Sequence, residues 1–250
     1  MSQLYHAVLY DPILNLLLWV RDVLPGGDMG VAIILVTIII KLVLILPSLS
    51  SIRSQKALQE IQPKVDEIRK KYKDDKQRQS QELLQVYRDH KVSPFSSCLP
   101  LLIQFPILIA LYQVFFNGLG SVDTATGLLG ANQLDYLYEP IRAIYASTPI
   151  PTDFLGFLTL TKPNVILAVF AALAQFFQSR QLMGKNPKAK QNAMTRNMLY
   201  IFPVMVFFFG LQFPAGLTLY WIMSSLFTIV QQAVYLRRTD RASNGNATPA

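Results

Sequence analysis

Five stretches of the chain stay apolar for long enough to approach the roughly 20 residues that match a hydrocarbon core about 30 Å thick. They cover residues 30–49, 95–116, 163–178, 198–213 and 216–235, and only the first contains a charged side chain, Lys41. The pattern predicts five transmembrane helices. Ahead of them, Asp11-Pro12 reads as a helix N-cap followed by a first-turn proline, opening an apolar run from Ile13 to Val20 that ends at Arg21-Asp22. That run is too short to span, and no basic segment or small-residue cleavage site accompanies it. The expectation for residues 1–29 is therefore an amphipathic helix lying on the outer membrane surface, not a signal peptide. Pro25-Gly26-Gly27 supplies the bend into the first span.

Between the first two spans the periodicity changes. Leu58, Ile61, Val65, Ile68 and Tyr72 recur at alternating spacings of three and four, and Leu83, Leu84 and Tyr87 form a shorter partner stripe. With Lys73-Asp74-Asp75 as the turn, residues 50–94 are expected to fold as an antiparallel helical hairpin, its first arm kinked at Pro63. Residues 117–162 are rich in Gly, Thr, Asp and Pro and read as a loop with one surface helix. Residues 179–197 read as a second connection and residues 236–250 as a tail.

Composition narrows the class. Of the 250 residues, 52% are apolar and 15% charged, against about a quarter charged in an ordinary soluble domain. Disorder is excluded, and the fold class expected is an all-α integral membrane protein. One cysteine, Cys98, leaves no disulfide framework, and His6 and His90 lie too far apart for a Cys/His metal constellation, so neither metal nor cofactor is expected. The net charge of +8 is unevenly placed: residues 50–94 hold 11 Lys/Arg, residues 179–197 hold 5 and the tail holds 3. By the positive-inside rule these segments are cytoplasmic, which puts the N-terminus outside and the C-terminus inside. In so apolar a chain, the basic excess points to an anionic membrane and not to nucleic acid.

Lys41 is the residue that composition does not explain. Near the middle of the first span, a lysine costs roughly 2.5 to 3.5 kcal/mol on insertion scales, and its side chain is too short to reach either interface. Thr37 and Ser48 fall on the same helical face. None of the five stretches holds an acidic residue, so the ammonium is to be met by water or neutral oxygens. Gln104 in the second span supplies one candidate, and Thr218, Trp221, Ser225, Thr228 and Gln232 make a polar face on the last. Together they predict a wet cavity inside the membrane. Intramembrane Ser, Thr and Gln also serve simply as interhelical hydrogen-bonding groups, Cys98 reads as a small apolar filler, and Met183, Met194, Met198, Met205 and Met223 read as packing or as an adaptable apolar surface. Gly184-Lys185-Asn186 lacks the remainder of a phosphate-binding loop, and no HExxH or GxSxG occurs. The expectation is a protein that is not an enzyme.

Three stretches, GVAIILVTIIIKLVLILP from Gly30, LQEIQPKVDEIRKKYKDDKQRQSQELLQVYRDHKVSPFSSCLPLLIQFPILIALYQVF from Leu58 and FPAGLTLYWIMSSLFTIVQQ from Phe213, resemble the YidC membrane protein insertases of bacteria. The resemblance implies a five-helix core around a hydrophilic groove open to the cytoplasm and to lipid, in a minimal five-span form. Its polar groove would be lined by Lys41, Thr37, Gln104, Trp221, Ser225 and Thr228, with Lys41 where the family usually carries arginine. An apolar slide for the departing client would use Phe105, Ile109, Met205 and Phe209. The partners implied are nascent membrane-protein clients and lipid, with the ribosome, signal-recognition targeting factors and the Sec translocon as accessory partners, all at the bacterial inner membrane. Two other readings of Lys41 remain open: a small anion channel or transporter with Lys41 in its pore, and a structural anchor indifferent to it.

Overall fold

The computed structural model describes residues 2–93, 99–183 and 193–245, with side chains described over residues 3–93, 102–181 and 199–237. Cys98 and the connection 184–192 lie outside the described residues. The chain is mostly helical: α1 (Ser2–Tyr5), a π-helical turn (His6–Tyr10), α2 (Asp11–Val23), α3 (Met29–Val43), α4 (Ile45–Lys71) and α5 (Lys76–Asp89) come first. Then come α6 (Leu99–Gln113), a second π turn (Val114–Gly118), a 3-10 turn (Leu119–Ser121), α7 (Ala131–Leu134), α8 (Glu139–Tyr145), β1 (Asp153–Phe154), β2 (Leu158–Thr159), α9 (Val165–Met183), α10 (Ala193–Gly210) and α11 (Ala215–Gly245). Helix α11 packs on one side against α3 and on the other against α9, which in turn packs against α10; α3 also carries α2.

Among the described residues two helices, Leu102–Ser121 and Ala215–Arg237, are by themselves long and apolar enough to cross a membrane, and Leu199–Gly210 is a shorter apolar helix. The first apolar run, expected as one helix over 30–49, is instead broken: α3 and α4 meet at Leu44 with a bend of 68°. The sequence gives a reason. Pro47 cannot donate a ladder bond and is tolerated only within the first turn of a new helix; α4 begins two residues before it.

The N-terminal helix does not start at Asp11. Asp11 has helical φ −61°, ψ −47°, and its carboxylate lies 3.5 Å from the His6 ring instead of capping. Leu4, Tyr5, Val8 and Leu9 continue an apolar helical pattern upstream, and the π turn resets the ladder just ahead of Pro12, which has no N–H to give. Nor does α2 merely lie on a surface: Ile13, Leu14, Leu17 and Leu18 are buried in the protein core, while Trp19 and Val23 are exposed. The region 117–162 is also more structured than the expected loop, with two helices and a small antiparallel hairpin pairing Asp153 with Thr159 and Phe154 with Leu158.

That region is fastened by three buried or capping polar groups. Asn15 donates from Nδ2 to the carbonyls of Asp11 (2.7 Å) and Tyr136 (2.8 Å) and accepts from the Tyr138 N–H (2.7 Å), so its whole amide is used. Arg21 donates from Nε to the Gly27 carbonyl (3.0 Å) and from Nη1 to the Tyr145 hydroxyl (3.0 Å), which donates to the Leu18 carbonyl (3.1 Å). Burial pushes the Tyr145 phenol up from its ordinary pKa, with Arg21 pulling the other way, so it remains a donor. Asp28 caps α3 by accepting from the Val31 N–H (2.9 Å) while its other oxygen accepts from the Leu155 N–H (2.6 Å). This draws the hairpin onto α3 at Gly30, where an added Cβ would sit 2.1 Å from the Phe154 ring.

The main cluster of buried apolar side chains gathers at one end of the helices. Met29, Ile33 and Val36 of α3, Ile107, Leu111 and Phe115 around the end of α6, Leu160, and Leu217 at the start of α11 are all buried together. We call this the sealed end. Away from it stand α4 and α5, joined by Lys64 Nζ donating to His90 Nε2 (2.9 Å) and Gln79 Nε2 donating to the carbonyls of Arg69 (3.0 Å) and Tyr72 (3.1 Å). Ile61 and Val65 are buried in this pair, whereas Leu84, expected in the partner stripe, is exposed.

Asn15→Leu keeps the side-chain volume but strips partners from three backbone groups. It is expected to destabilise the protein by about 2 kcal/mol or more, read as a lower midpoint of thermal unfolding in detergent, with exposed Asn132→Leu near wild type. Gly210 approaches α9 so closely that an added Cβ would lie 2.8 Å from the Ala168 Cβ; Gly210→Leu is expected to cost about 1 to 3 kcal/mol in the same assay.

Candidate functional site

The bend at Leu44 changes the standing of Lys41. In an unbroken helix it would lie in mid-span; here it occupies the last turn of α3, where the partial negative charge of the helix end favours a cation by about 0.3 to 1 kcal/mol, and by up to about 2 kcal/mol when partly buried. Its ammonium approaches two neutral oxygens, Gln104 Oε1 and Thr228 Oγ1, each at 3.5 Å. Both distances are at the outer limit of hydrogen bonding. Among the described residues no carboxylate pairs with Lys41.

Each neighbour is fixed by its own element. Gln104 comes from the first half of α6, and its Nε2 donates to the Tyr220 hydroxyl. Because an ammonium offers no acceptor, the amide must turn its oxygen to Lys41 and its nitrogen to Tyr220. Thr228 donates its hydroxyl to the Ser224 carbonyl one turn back (2.8 Å), leaving lone pairs toward Lys41. On the other side of the bend, Ser48 of α4 donates to Gln231 Oε1 (2.8 Å), and Gln231 Nε2 donates to the Ile45 carbonyl at 3.4 Å. Ser51 and Gln55 follow on α4, both buried. A belt of neutral polar groups thus surrounds the bend, with one cation at its centre.

Of the groove residues expected from the sequence, the structure brings together Lys41, Gln104 and Thr228. Thr37 is buried and spends its hydroxyl on the Ile33 carbonyl (2.6 Å). Trp221 faces the other way: its Nε1 donates to Gln175 Oε1 of α9 (3.3 Å). Ser225 is buried and Gln232 Oε1 is a buried acceptor without a hydrogen-bond partner. Tyr220, Ser224 and Gln231 were not singled out by sequence reasoning. Their signal was present, since Tyr220, Ser224, Thr228 and Gln231 recur at spacings of four, four and three. That face lies one residue around the helix from the expected one, and Thr228 belongs to both. Helix α11 is polar on two sides because α3 and α9 flank it.

The four residues expected on an apolar slide are all exposed: Phe105 and Ile109 on α6, Met205 and Phe209 on α10. Leu102, Ile201, Val204 and Phe208 extend this bare surface. At the sealed end Tyr112 packs against Phe213 with ring centres 5.4 Å apart, and Phe213 stacks on Phe209. The side chains of Met183, Met194 and Met198 lie outside those described.

Comparison with known proteins gives a consistent picture. Residues 19–242 match the family model described as 60Kd inner membrane protein. The chain is 33% identical over 213 residues to a membrane protein insertase YidC of Fusobacterium nucleatum, covering 85% of this chain and 88% of that one. It is 34% identical over 228 residues to a membrane protein insertase YidC of Streptomyces avermitilis, of which it covers 52%. A solved structure described as an active YidC insertase with its first transmembrane domain resolved has a TM-score of 0.59 at 27% identity, over 92% of this chain and 46% of the other. The chain therefore spans most of the Fusobacterium relative and about half of the other two.

An ammonium met only by two neutral oxygens at 3.5 Å calls for water around it, whereas the buried sealed end is expected to be dry. In a Cys98→Ser background, Gln104→Cys and Thr228→Cys are expected to react with a membrane-impermeant maleimide added on one side of a vesicle. Ala32→Cys and Leu217→Cys are expected to stay unmodified. Mass spectrometry reads the difference, and equal protection of all four would refute a hydrated pocket.

Proposed function

The chain belongs to the 60Kd inner membrane protein family, whose matched relatives are membrane protein insertases, and from that premise we propose that it inserts client proteins into a bacterial inner membrane. The observation that carries the mechanism is the incompletely satisfied ammonium of Lys41, set among neutral oxygens on the unsealed side of the bundle. In this reading α3 with the first turns of α4, then α6, α9, α10 and α11, are the five spans. The basic α4–α5 pair faces the cytoplasm, the N-terminus lies outside, and the sealed end is the outer one.

The energetics need no fuel. A client helix of about 20 residues, gaining about 0.3 to 0.6 kcal/mol per Leu-like residue, is favoured in lipid by roughly 6 to 12 kcal/mol. What opposes insertion is the passage of the client's polar outer segment through hydrocarbon. A hydrated pocket that begins on the cytoplasmic side and ends at the sealed core shortens that passage. Lys41 offers three donors to a carboxylate or carbonyl of the segment, and a hydrogen bond to a charged group is worth about 1.5 to 3 kcal/mol. The apolar part of the client meanwhile lies along the exposed faces of α6 and α10 and leaves sideways into lipid. The 11 basic residues between 50 and 94 make the α4–α5 pair the surface for the ribosome, targeting factors or the translocon.

An anion channel is the competing reading. It requires a continuous polar path, and the packing of Ile33, Phe115 and Leu217 across the sealed end argues against one.

Reconstituted in vesicles, Lys41→Ala is expected to lower protease-protected insertion of a single-span client with an acidic outer tail by about 10- to 100-fold, the equivalent of one lost charge-assisted bond. Lys41→Arg is expected to stay near wild type. Full activity of the Ala variant would remove Lys41 from the mechanism, and single-channel anion currents would favour the competing reading.

A further inference from the structure

Among the described residues two π-helical turns, His6–Tyr10 and Val114–Gly118, are neighbours, and both line one open cleft of about 470 Å³ away from Lys41, at the opposite, sealed end. Single π turns are rare and concentrate at functional sites, and the volume lies within the range of small-ligand pockets. The second turn presents Asn117, and the remaining wall comes from the end of α6 and from the region beyond the turn: Gln113, Ser121, Gln133 and Tyr136. Tyr10 donates its hydroxyl to Gln133 Oε1 (2.5 Å), which ties the first helix to α7 across the floor of the cleft. Burial, then Tyr136 and Asp11, push the Tyr10 phenol well above its ordinary pKa, so it stays a donor.

The chemistry of the lining is selective. Its polar groups are three carboxamides, three hydroxyls and one imidazole, and no Lys or Arg is among them. The carboxylate of Asp11 lies 3.5 Å from His6 at the edge of the site, so an anionic ligand would meet a like charge. Rings alternate with these groups: His6 stacks on Tyr136 with centres 4.7 Å apart, Tyr10 meets both edge-on, and Phe116 stays exposed at the mouth. Neutral donors and acceptors beside aromatic faces fit an uncharged ring that is polar at its edge and apolar on its C–H face. The cleft also sits at the end of the apolar helix Leu102–Ser121, beside exposed Leu4, Val8 and Phe116, where an acyl chain could lie.

We propose that this cleft binds an uncharged polyhydroxylated ring, the sugar headgroup of a glycolipid or the equivalent free sugar. The proposal is independent of the insertase reading, since it uses neither Lys41 nor the α6–α10 surface.

Full-length protein is reconstituted in phosphatidylcholine nanodiscs carrying equal amounts of glucosyl-diacylglycerol and phosphatidylglycerol, and the lipids retained after detergent extraction are counted by native mass spectrometry. In parallel, methyl β-glucoside is added to protein in plain phosphatidylcholine discs and followed by saturation-transfer NMR. The expected result is about tenfold enrichment of the glucolipid over phosphatidylglycerol, lost in Asn117→Leu and regained in Asn117→Gln. Saturation transfer to the free glucoside without lipid enrichment, again lost in Asn117→Leu, would assign the same site to a free sugar. Equal retention of both lipids with no glucoside signal overturns the proposal, as does preferential retention of phosphatidylglycerol or an Asn117→Leu protein that binds like wild type. Gln113→Leu is read instead if Asn117→Leu fails to show the wild-type unfolding midpoint.

Discussion

An ammonium group enclosed by an apolar bundle must be neutralised, hydrated or deprotonated, and among the described residues no carboxylate stands ready to neutralise it. Lys41 has two neutral oxygens at 3.5 Å and the carbonyl end of a short helix. The helix end contributes only if the helix ends there, so the 68° bend is part of the electrostatics as well as of the shape. Straightening α3 into α4 would return Lys41 to a helix interior and remove Ser48 and Gln231 from its neighbourhood. The cation, the bend and the polar belt are therefore one arrangement. A lysine here keeps the charge of an arginine but gives up its planar fork, so it acts as a point donor and does not impose a two-pronged geometry on what it meets.

The opposite end of the molecule answers a different demand. In the proposed mechanism water enters from one side and must be kept from crossing, and an apolar core achieves this only if its covering segment is held in place. The fastening falls to Asn15, Arg21 and Asp28, each of which fixes a backbone in region 117–162 or its approach to α3. These are buried or capping polar groups with their partners in hand, the condition under which such groups add rigidity at little cost. Because they lie on α2 and at the start of α3, the N-terminal segment becomes a structural member of the core, which a helix resting on lipid would not be.

The sequence made some of this legible and not the rest, for identifiable reasons. Apolar runs of near-spanning length and the three-four periodicity of residues 58–72 are local signals, and they led to the helices. Lys41 stood out because its cost does not depend on the fold, and Gln104 and Thr228 because few polar residues were available to meet it. The break at Leu44 was harder to see, since the run stays apolar through Leu46 and Pro47 was passed over inside a single span read as continuous to residue 49. Thr37 and Trp221 share helical faces with groove candidates but find nearer partners, Ile33 and Gln175, and periodicity cannot foresee a partner. The continuation of the first helix back to Ser2 was concealed by Asp11-Pro12, a sound capping signal that a π turn overrides. The fastening roles of Asn15, Arg21 and Asp28 depend on contacts more than a hundred residues away, which local pattern does not carry even where, as at Asp28, it offers an N-cap.

One consequence joins the two ends. If the sealed core is rigid and the unsealed half is hydrated, a client's polar segment can advance only as far as the core. Its apolar segment must then leave through whatever side of the bundle is unpacked. The exposed faces of α6 and α10 supply that side, and Tyr112 of α6 packs against Phe213, in the turn that follows α10, at the sealed end. A contact there and bare apolar surface below it make the exit lateral by construction: movement toward the seal meets packed side chains, and movement sideways meets lipid. In the proposed mechanism the direction of insertion thus follows from where the core is placed, and the free energy comes from the client's own transfer into hydrocarbon.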